Sequence, residues 1–340
     1  MPMRKRNVAF DVLKVVSACG VILIHVTASL YACAAPGKTL LAAYVLNGFG
    51  RSAVPVFLMV AGALLFEAQA VHVRAFYRRG LARFFLPTVL WTLLYKAVIF
   101  LEHGHDVYDF LYLFKGKNPA YHLWYMWMFL GLIVAFPFLH AMVHGLSRER
   151  LRLFLVVCGI YAFLVNPFAG LCNRNIVEIY STIFGVYVFY FVFGHYLHTH
   201  VRTTAALAWG LGGLFVVAFV GNGYAMQVAA ARGLPFGYAP ETPESLPVLV
   251  QSFALYYAAR HFLRHRPAPA ALAGLSGATY GIYLVHVLVI HLLRVERLCA
   301  VTDGLGLALA ILGTSLLVFG LSYALVRGLR LVPGLRVLAP

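Results

Sequence analysis

The chain has 340 residues, of which 62% are hydrophobic and 11% are charged, and its mean hydropathy is +0.84. Soluble domains carry about 25% charged residues, so this composition excludes a protein whose whole surface faces water. The formal net charge is +16, which in a soluble protein would indicate a nucleic-acid partner. Here the basic residues lie between apolar runs, so membrane topology explains them and no nucleic acid is expected.

The first apolar run follows a basic segment that ends at Arg6, an order also found in cleaved signal peptides. However, Asp11, Lys14 and His25 interrupt the run, and it is long enough to span a bilayer. Cleaved signal peptides avoid such ionisable groups, whereas a functional span keeps them. The pattern therefore predicts a retained first transmembrane helix.

Ten apolar runs recur along the whole length of the chain, which excludes a single anchor with a soluble head. They predict an all-α polytopic membrane protein with about ten transmembrane helices. The runs are 8–31, 43–66, 83–101, 122–140, 151–165, 180–197, 204–220, 247–261, 272–293 and 305–326.

The loops between these runs alternate in charge. With the N-terminus in the cytoplasm, about seventeen basic residues fall in inner segments and about seven in outer ones, as the positive-inside rule expects. Both termini are therefore predicted to be cytoplasmic. The longest outer loops, 103–121 and 221–246, are too short for an independent domain. Residues 1–340 are thus predicted to form a single integral-membrane domain with no appended soluble domain.

The cysteines show no CxxC spacing of the kind that binds metal. Cys33, Cys172 and Cys299 fall in predicted outer segments, where the environment permits one disulfide, and nothing in their spacing selects a pair.

Lys14 and His25 are the most informative residues of the first span, because ionisable groups are costly inside a membrane. A helix places them about 16 Å apart along its axis and within about 20° of each other on one face. Taken singly, Lys14 is explained by snorkelling to the interface and His25 by a polar contact between helices. Together on one face, they indicate a path from the cytoplasmic surface to a reactive centre.

A basic segment leads into the third run and is predicted to be a cytoplasmic loop that includes Arg74, with Arg79 and Arg83 one turn apart on a face. The positive-inside rule alone explains some of this charge. The alternative is an anion site, because a nucleotide-bearing donor with several phosphates needs multiple guanidinium contacts. In that case Arg78, Arg79 and Arg83 would bind the donor.

Further polar and aromatic residues gather near the predicted outer side. Trp124 and Tyr125 open the fourth run, where an aromatic belt is the competing explanation. His286 is unusual in an otherwise apolar run and is expected to line a cavity. The residues of this outer group are Arg51, His122, Trp124, Tyr125, Tyr283 and His286.

No nucleophile elbow, phosphate-binding loop, dinucleotide fingerprint or zincin motif occurs in the sequence. Two groups, in residues 195–200 and 103–106, imitate the spacing of metal-binding histidines. Both lie at loop edges and lack a complete ligand set, so no metal is expected.

Five stretches of the sequence together resemble the bacterial membrane acyltransferase-3 family, which includes sugar O-acetyltransferases. The most specific is a basic residue followed after ten residues by a histidine, here Lys14 and His25. Lys14 stands where many members have arginine, a variation that the family permits, and the arginine spacing near the third run is looser than in many members. The stretches are 10–25, 51–62, 77–91, 122–125 and 281–286.

The resemblance implies a ten-helix protein of the bacterial inner membrane. Members take an acetyl group, usually from cytoplasmic acetyl-CoA, and place it on a hydroxyl of an envelope glycan or lipid-linked sugar. By this resemblance Lys14 and His25 would be the essential pair, and Arg79 and Arg83 would lie near the donor. Transfer from a thioester to a hydroxyl needs a base of near-neutral pKa, which histidine supplies.

His25 is predicted to act as the general base, although a transient acyl-imidazole on His25 also satisfies the chemistry. Asp11, three residues before Lys14, is expected to pair with its ammonium group. Arg51 and His286 are the candidates to stabilise the tetrahedral oxyanion.

Two other functions compete with acyl transfer. A transporter or exporter of polysaccharide or lipid-linked sugar would also place charges inside the membrane, but its paired halves and inverted repeat are not evident. If the protein were a non-catalytic membrane partner, the presence of Lys14 and His25 inside a span would have no explanation.

Overall fold

The computed structural model describes residues 6–31, 40–103, 121–165, 185–232, 242–264, 266–300 and 304–340. Helices dominate these ranges, and no β-strand occurs within them. The predicted all-α membrane fold is therefore confirmed as a class. The predicted outer segments that contain Cys33, Asp106 and Cys172 lie outside the described residues.

Twelve α-helices lie within the described ranges: α1 (Val8–Tyr31), α2 (Leu41–Gly50), α3 (Ala53–Leu65), α4 (Val73–Gly80), α5 (Leu86–His103), α6 (Trp124–Gly145), α7 (Arg148–Ile160), α8 (Val186–His200), α9 (Ala205–Ala231), α10 (Leu246–Leu263), α11 (Ala270–Leu292) and α12 (Leu305–Leu331). Two π-helical segments join or extend them, Leu81–Phe85 and Tyr161–Val165. Three short 3₁₀ segments complete the helical structure: Tyr121–Leu123, Val295–Ala300 and Pro333–Leu338.

Seven helical stretches of the described chain are long and apolar enough to cross a membrane. They are Val8–Tyr31, Leu41–Leu65, Val73–Leu101, Tyr121–Gly145, Ala205–Ala231, Ala270–Leu292 and Leu305–Leu331. The predicted runs 151–165, 180–197 and 247–261 overlap the shorter helices α7, α8 and α10. The count of about ten spans and the cytoplasmic position of both termini stay predictions.

The basic segment before the third run is helical, so the prediction that it forms a loop is wrong. Helix α4 begins at Val73 and continues through the π-helical segment into α5. The arginines lowered the local hydropathy, and the predicted run therefore began only at Arg83. Gly80 does not end the helix because it is buried, and a Cβ there would lie 3.0 Å from the Ile133 Cγ2 atom.

Two further boundaries differ from those expected. Helix α9 ends at Ala231, so the first half of the predicted outer loop 221–246 is helical. The second predicted run is two helices, because Arg51 and Ser52 form a turn between α2 and α3. Pro55 is the third residue of α3, where its missing N–H removes no helical hydrogen bond.

The chain divides into two compact units, each assembled from three separate segments. The first unit contains Met1–Ala68, Val143–Ser276 and Val295–Leu316. The second contains Gln69–Met142, Gly277–Arg294 and Leu317–Pro340. The prediction of one domain over residues 1–340 stays a prediction.

In the first unit, helices α3 and α8 pack with their backbones in direct contact. A Cβ atom on Gly62 would overlap the Phe191 carbonyl, and a Cβ atom on Gly194 would overlap the Met59 backbone. Small residues permit this kind of approach between membrane helices, where packing replaces the hydrophobic driving force. The two glycines therefore determine how closely these helices pack.

Arg260 of α10 closes the C-terminal end of α8. Its guanidinium donates to the carbonyl of Leu197, to that of His198 at 3.1 Å and to that of Val201 at 3.3 Å. The last carbonyls of a helix have no partner within the helix and carry partial negative charge. A single arginine thus satisfies three acceptors. From the sequence alone, Arg260 is only a basic residue near the end of an apolar run.

The cysteines fall into two classes. Cys19 and Cys158 are free thiols, whereas Cys299 is disulfide-bonded. The Cys299 sulfur lies 3.7 Å from the Leu30 carbonyl oxygen, so this bond is formed close to the C-terminal end of α1.

The contact between α3 and α8 predicts a strong asymmetry between two identical substitutions. Gly62→Ala should destabilise the protein by about 3 kcal/mol, because the new methyl group overlaps the Phe191 backbone. Gly213→Ala in α9 meets open space and should leave stability unchanged or slightly raised. Thermal unfolding of the purified variants measures both effects. Equal melting temperatures for the two variants would contradict the packing.

Candidate functional site

A cavity of about 690 Å³ lies at the N-terminal end of α1, in the first unit. Its wall is about half polar, unlike the apolar surface expected of a lipid-facing groove. It combines basic, acidic and aromatic side chains, and therefore suits a ligand that carries both charge and apolar surface. The lining residues are Arg6, Asn7, Phe10, Asp11, Lys14, Leu64, Glu67 and His198.

Asp11 is 3% exposed and holds this end of the unit together. Arg6 donates to both carboxylate oxygens, one of them at 3.1 Å. Ser276 of α11 donates to Oδ1 at 2.6 Å, and the Lys14 Nζ atom lies 3.8 Å from the same oxygen. The expected Asp11–Lys14 pair is therefore present at long range, while the closer contacts come from Arg6 and Ser276.

Arg6 and Ser276 were missed because neither has a distinctive local pattern. Arg6 was explained by topology alone, although it precedes Asp11 by little more than one helical turn. It also donates to the Ala273 carbonyl at 2.9 Å, which joins the start of α1 to α11. The cavity wall includes a second pair that was missed, with His198 Nε2 3.4 Å from the Glu67 carboxylate.

Lys14 and His25 lie on one uninterrupted helix, as the sequence predicts. Both side chains are half-buried. Lys14 lines the cavity and His25 does not, so the two residues occupy different depths, about 16 Å apart along the axis of α1. The structure thus places them on one stripe without bringing their side chains together.

Arg51 is fixed beside the helical turn that carries His25. Its Nε atom donates to Asn47 at 2.6 Å, and Asn47 in turn donates to the Thr27 hydroxyl at 2.7 Å and to the Ile24 carbonyl at 3.4 Å. Asn47 and Thr27 are fully buried. The only sequence signal for Asn47 was an amide in an apolar run, four residues before Arg51.

Close approach of α1 and α2 makes this arrangement possible. A Cβ atom on Gly50 would lie 2.6 Å from the Gly20 carbonyl oxygen, so Gly50 must lack a side chain, and a Cβ atom on Gly20 would lie 3.1 Å from the Ala53 Cβ atom, a tight contact. Arg51 directly follows Gly50 at the end of α2, and this position places its backbone close to α1. Hydrogen-bond donors held in this way are suited to stabilising negative charge that develops near His25.

In the second unit, four residues of the predicted outer group form one buried aromatic cluster. Tyr283 donates to the His122 carbonyl, and the His122 and His286 rings lie 5.1 Å apart. The Tyr125 and Tyr283 rings are 5.5 Å apart. Trp124 is 43% exposed and lies at the edge of the cluster, next to Tyr125. The structure brings these five residues together, while Arg51 belongs to the first unit.

The Nδ1 atom of His286 lies 2.7 Å from the Tyr283 carbonyl oxygen. Since a carbonyl can only accept, Nδ1 carries the proton, and Nε2 is the basic nitrogen of the neutral ring. Tyr95, which the sequence did not single out, packs on His122 and donates to the Leu284 carbonyl at 2.9 Å. The bond to Tyr283 orients the His286 ring, while Tyr95 joins α5 to α11.

The predicted donor residues Arg78, Arg79 and Arg83 are exposed and belong to the second unit. Arg83 lies in the π-helical segment Leu81–Phe85, and such widened turns are frequent at functional sites. The Arg83 guanidinium lies 5.6 Å from the Phe84 ring centroid.

In the described ranges, no group of three or more His, Cys, Asp or Glu side chains is arranged to hold a metal ion. Part of the histidine group at 103–106 lies outside those ranges.

Comparison with known families decides the class of protein. A family described as an acyltransferase domain matches residues 7–327, which is most of the chain. The chain belongs to the acyltransferase-3 family. This acyltransferase gives no significant match to curated proteins or to solved structures. Family membership establishes a membrane acyltransferase with an acyl donor and an acyl acceptor.

The Asp11 contacts predict that this acyltransferase loses stability when either partner of the ion pair is removed. Asp11→Asn and Arg6→Gln should each destabilise it by about 1–2 kcal/mol, because Arg6 is partly exposed and solvent weakens the pair. The double variant should lose less than the sum of the two. Arg266→Gln, which removes an exposed arginine of the first unit between α10 and α11, is the control and should leave the melting temperature unchanged.

Proposed function

We propose that this acyltransferase transfers an acetyl group from cytoplasmic acetyl-CoA to a hydroxyl of an envelope glycan or lipid-linked sugar, in a bacterial inner membrane. The observation that carries the proposal is the half-polar cavity at Lys14, on the same helix stripe as His25. A thioester donor with a charged nucleotide and an apolar arm requires a cavity of this mixed character. The catalytic base would then lie deeper in the membrane, on the path that Lys14 begins.

In the proposed reaction, His25 accepts the proton of the acceptor hydroxyl while its oxygen attacks the thioester carbon. The tetrahedral intermediate collapses, the carbon–sulfur bond breaks, and the proton on His25 passes to the departing thiolate. The products are an acetyl ester and the free thiol, and His25 is regenerated as a neutral base. Direct attack is preferred to an acyl-imidazole because it requires one base and no covalent intermediate.

Arg51 is the best-supported candidate for oxyanion stabilisation. Asn47 fixes its guanidinium against the turn of α1 that contains His25. A preorganised donor stabilises developing charge without reorganising during the reaction. The Arg51 guanidinium is thus suited to bind the carbonyl oxygen of the thioester, which gains negative charge in the tetrahedral intermediate.

The aromatic cluster of the second unit is proposed to serve the acceptor. His122 and His286 are buried at 1% and 0% exposure, which suits a positioning role rather than direct contact. Trp124 offers an exposed aromatic face at the edge of the cluster, a surface of the kind that lines sites for small organic ligands. The competing function, polysaccharide export, receives no support from a family match to acyltransferases.

Replacement of His25 tests the base directly. His25→Ala should abolish transfer from labelled acetyl-CoA to an envelope-glycan extract, because the base is lost while the cavity is retained. His261→Ala removes another half-buried histidine of the first unit and should retain activity. Transfer by the His25→Ala protein at the wild-type rate would exclude the mechanism. No transfer by wild-type protein with any acyl-CoA would exclude the proposed function.

Activity is expected to depend on the positive charge at position 14 rather than on the shape of the lysine side chain. Lys14→Arg should keep most of the activity, while Lys14→Gln should lower kcat/KM for acetyl-CoA by about tenfold or more, as expected for loss of one charge-assisted contact. Melting temperatures of both variants separate this effect from misfolding. Equal activity of the two variants would show that the charge has no role.

A further inference from the structure

A groove of about 400 Å³ lies in the first unit, between α7, α8 and the start of α10. Its walls are almost entirely apolar, unlike those of the cavity at Lys14. Several of its apolar side chains are about half exposed, which is unfavourable in water and ordinary against hydrocarbon. This apolar groove therefore suits a ligand from the membrane. Six of its lining residues are Arg152, Val156, Gly159, Phe163, Phe189 and Tyr196.

Gly159 of α7 gives the apolar groove its depth. A Cβ atom there would lie 3.4 Å from the Phe189 ring, and a longer side chain would have to extend into the groove. The Phe189 ring is fixed from two sides, by Phe193 and by Phe163, with ring centroids 5.1 Å away in each case. The floor of the groove is therefore formed by packed aromatic rings, in front of which the glycine leaves space.

The apolar groove is about as long as one leaflet of a bilayer is thick. Along its α7 wall it extends from Arg152 to Phe163 in the π-helical segment, a rise of about 15 Å. The hydrocarbon core of a bilayer is about 30 Å thick, so one leaflet contributes about 15 Å. The length of the groove therefore matches a single phospholipid acyl chain.

Arg152 and Tyr196 lie together at one end of the apolar groove. Arg148 donates to the His200 carbonyl at 3.2 Å, which places the start of α7 beside the end of α8. Arg152 and Tyr196 are each one helical turn from this contact, so they lie at the same level. An arginine that lines an apolar wall contributes its stem to the wall and holds its guanidinium at the interface with water.

The charge at this end of the groove is positive. Helix α7 begins with Arg148, Glu149, Arg150 and Arg152, and all four are exposed. Glu149 interacts electrostatically with Arg148 and Arg152 and offsets one of the three positive charges. The remaining charge attracts an anionic headgroup, and a guanidinium binds the phosphate of such a headgroup through its planar fork.

We propose that the apolar groove binds one acyl chain of an anionic phospholipid, with the lipid phosphate at Arg152. The groove supplies the length and the apolar wall for the chain, and the start of α7 supplies the charge for the headgroup. The lipid is thus a ligand of the first unit rather than bulk solvent. The inference is independent of acetyl transfer, because it involves neither the donor, the acceptor nor His25.

Thermal unfolding of the purified full chain in neutral detergent tests the proposal, because a ligand of the folded state raises the melting temperature. Phosphatidylglycerol should stabilise the protein at lower concentration than phosphatidylcholine, whose phosphate is accompanied by a cation. Phosphatidylglycerol with short acyl chains should bind at least about tenfold more weakly, because less apolar surface is buried. This last comparison separates binding of the lipid from binding of its headgroup alone.

Two matched pairs of variants locate the headgroup and the chain. Arg152→Gln should weaken binding of phosphatidylglycerol by about fivefold, as expected for one charge at a membrane surface. Arg150→Gln removes the same charge from the same helix, away from the groove, and should leave binding unchanged.

Val156→Phe should fill the groove and weaken binding of both lipids by about tenfold. Val157→Phe is its control, because Val157 is equally exposed and points about 100° away around the helix. Gly159→Leu closes the groove from its floor and should reproduce the effect of Val156→Phe.

Three results would overturn the proposal. Equal effects of Arg152→Gln and Arg150→Gln would show that the lipid responds to overall charge and not to this site. Wild-type binding by both Val156→Phe and Gly159→Leu would show that no chain occupies the groove. Equal affinity for phosphatidylglycerol and phosphatidylcholine would show that the headgroup charge is not recognised.

Discussion

Inside a bilayer there is no water to satisfy a polar group, so each one must find its partner within the protein. This constraint organises both units. Asp11 is neutralised by Arg6 and hydrogen-bonded by Ser276, and Arg260 closes the end of α8 on three carbonyls. In the second unit the Trp91 indole donates to the Leu338 carbonyl at 2.8 Å. Polar side chains in this protein therefore mark the joints between helices, and the candidate active site is built at those joints.

Hydropathy predicted much of the fold because apolar length is a local property of the sequence. The first run was predicted at 8–31, the bounds that α1 has. The same measure failed at α4, where arginines hide a helix, and at α9, where glycine and alanine lowered the apparent length of the span. The π-helical segment at Leu81–Phe85 also gave no sequence signal, because it changes the hydrogen-bond pattern without changing composition.

Part of the candidate site was equally predictable. Lys14 and His25 share a face because helix geometry alone determines it, and the sequence grouped the outer residues by expected depth, where four of them form one cluster. The partners that orient them were not predictable, since they come from distant parts of the chain. Ser276 is 265 positions from Asp11, and Asn47 reaches α1 only because Gly20 and Gly50 let the helices touch. Tertiary contacts of this kind have no local signature.

The glycine contact between α3 and α8 has a consequence for how the cavity admits a ligand. Glu67 follows α3 and His198 lies on α8, and both line the cavity. Sliding of one helix along the other would bring a side chain onto the Gly62 or Gly194 contact, which has no room for one. The contact therefore resists sliding of α3 along α8, and the part of the wall formed by Glu67 and His198 is expected to keep its width. Displacement of α1 would instead stretch the bonds that join Arg6 to Asp11 and to Ala273 of α11, so widening of the cavity at α1 would cost these contacts.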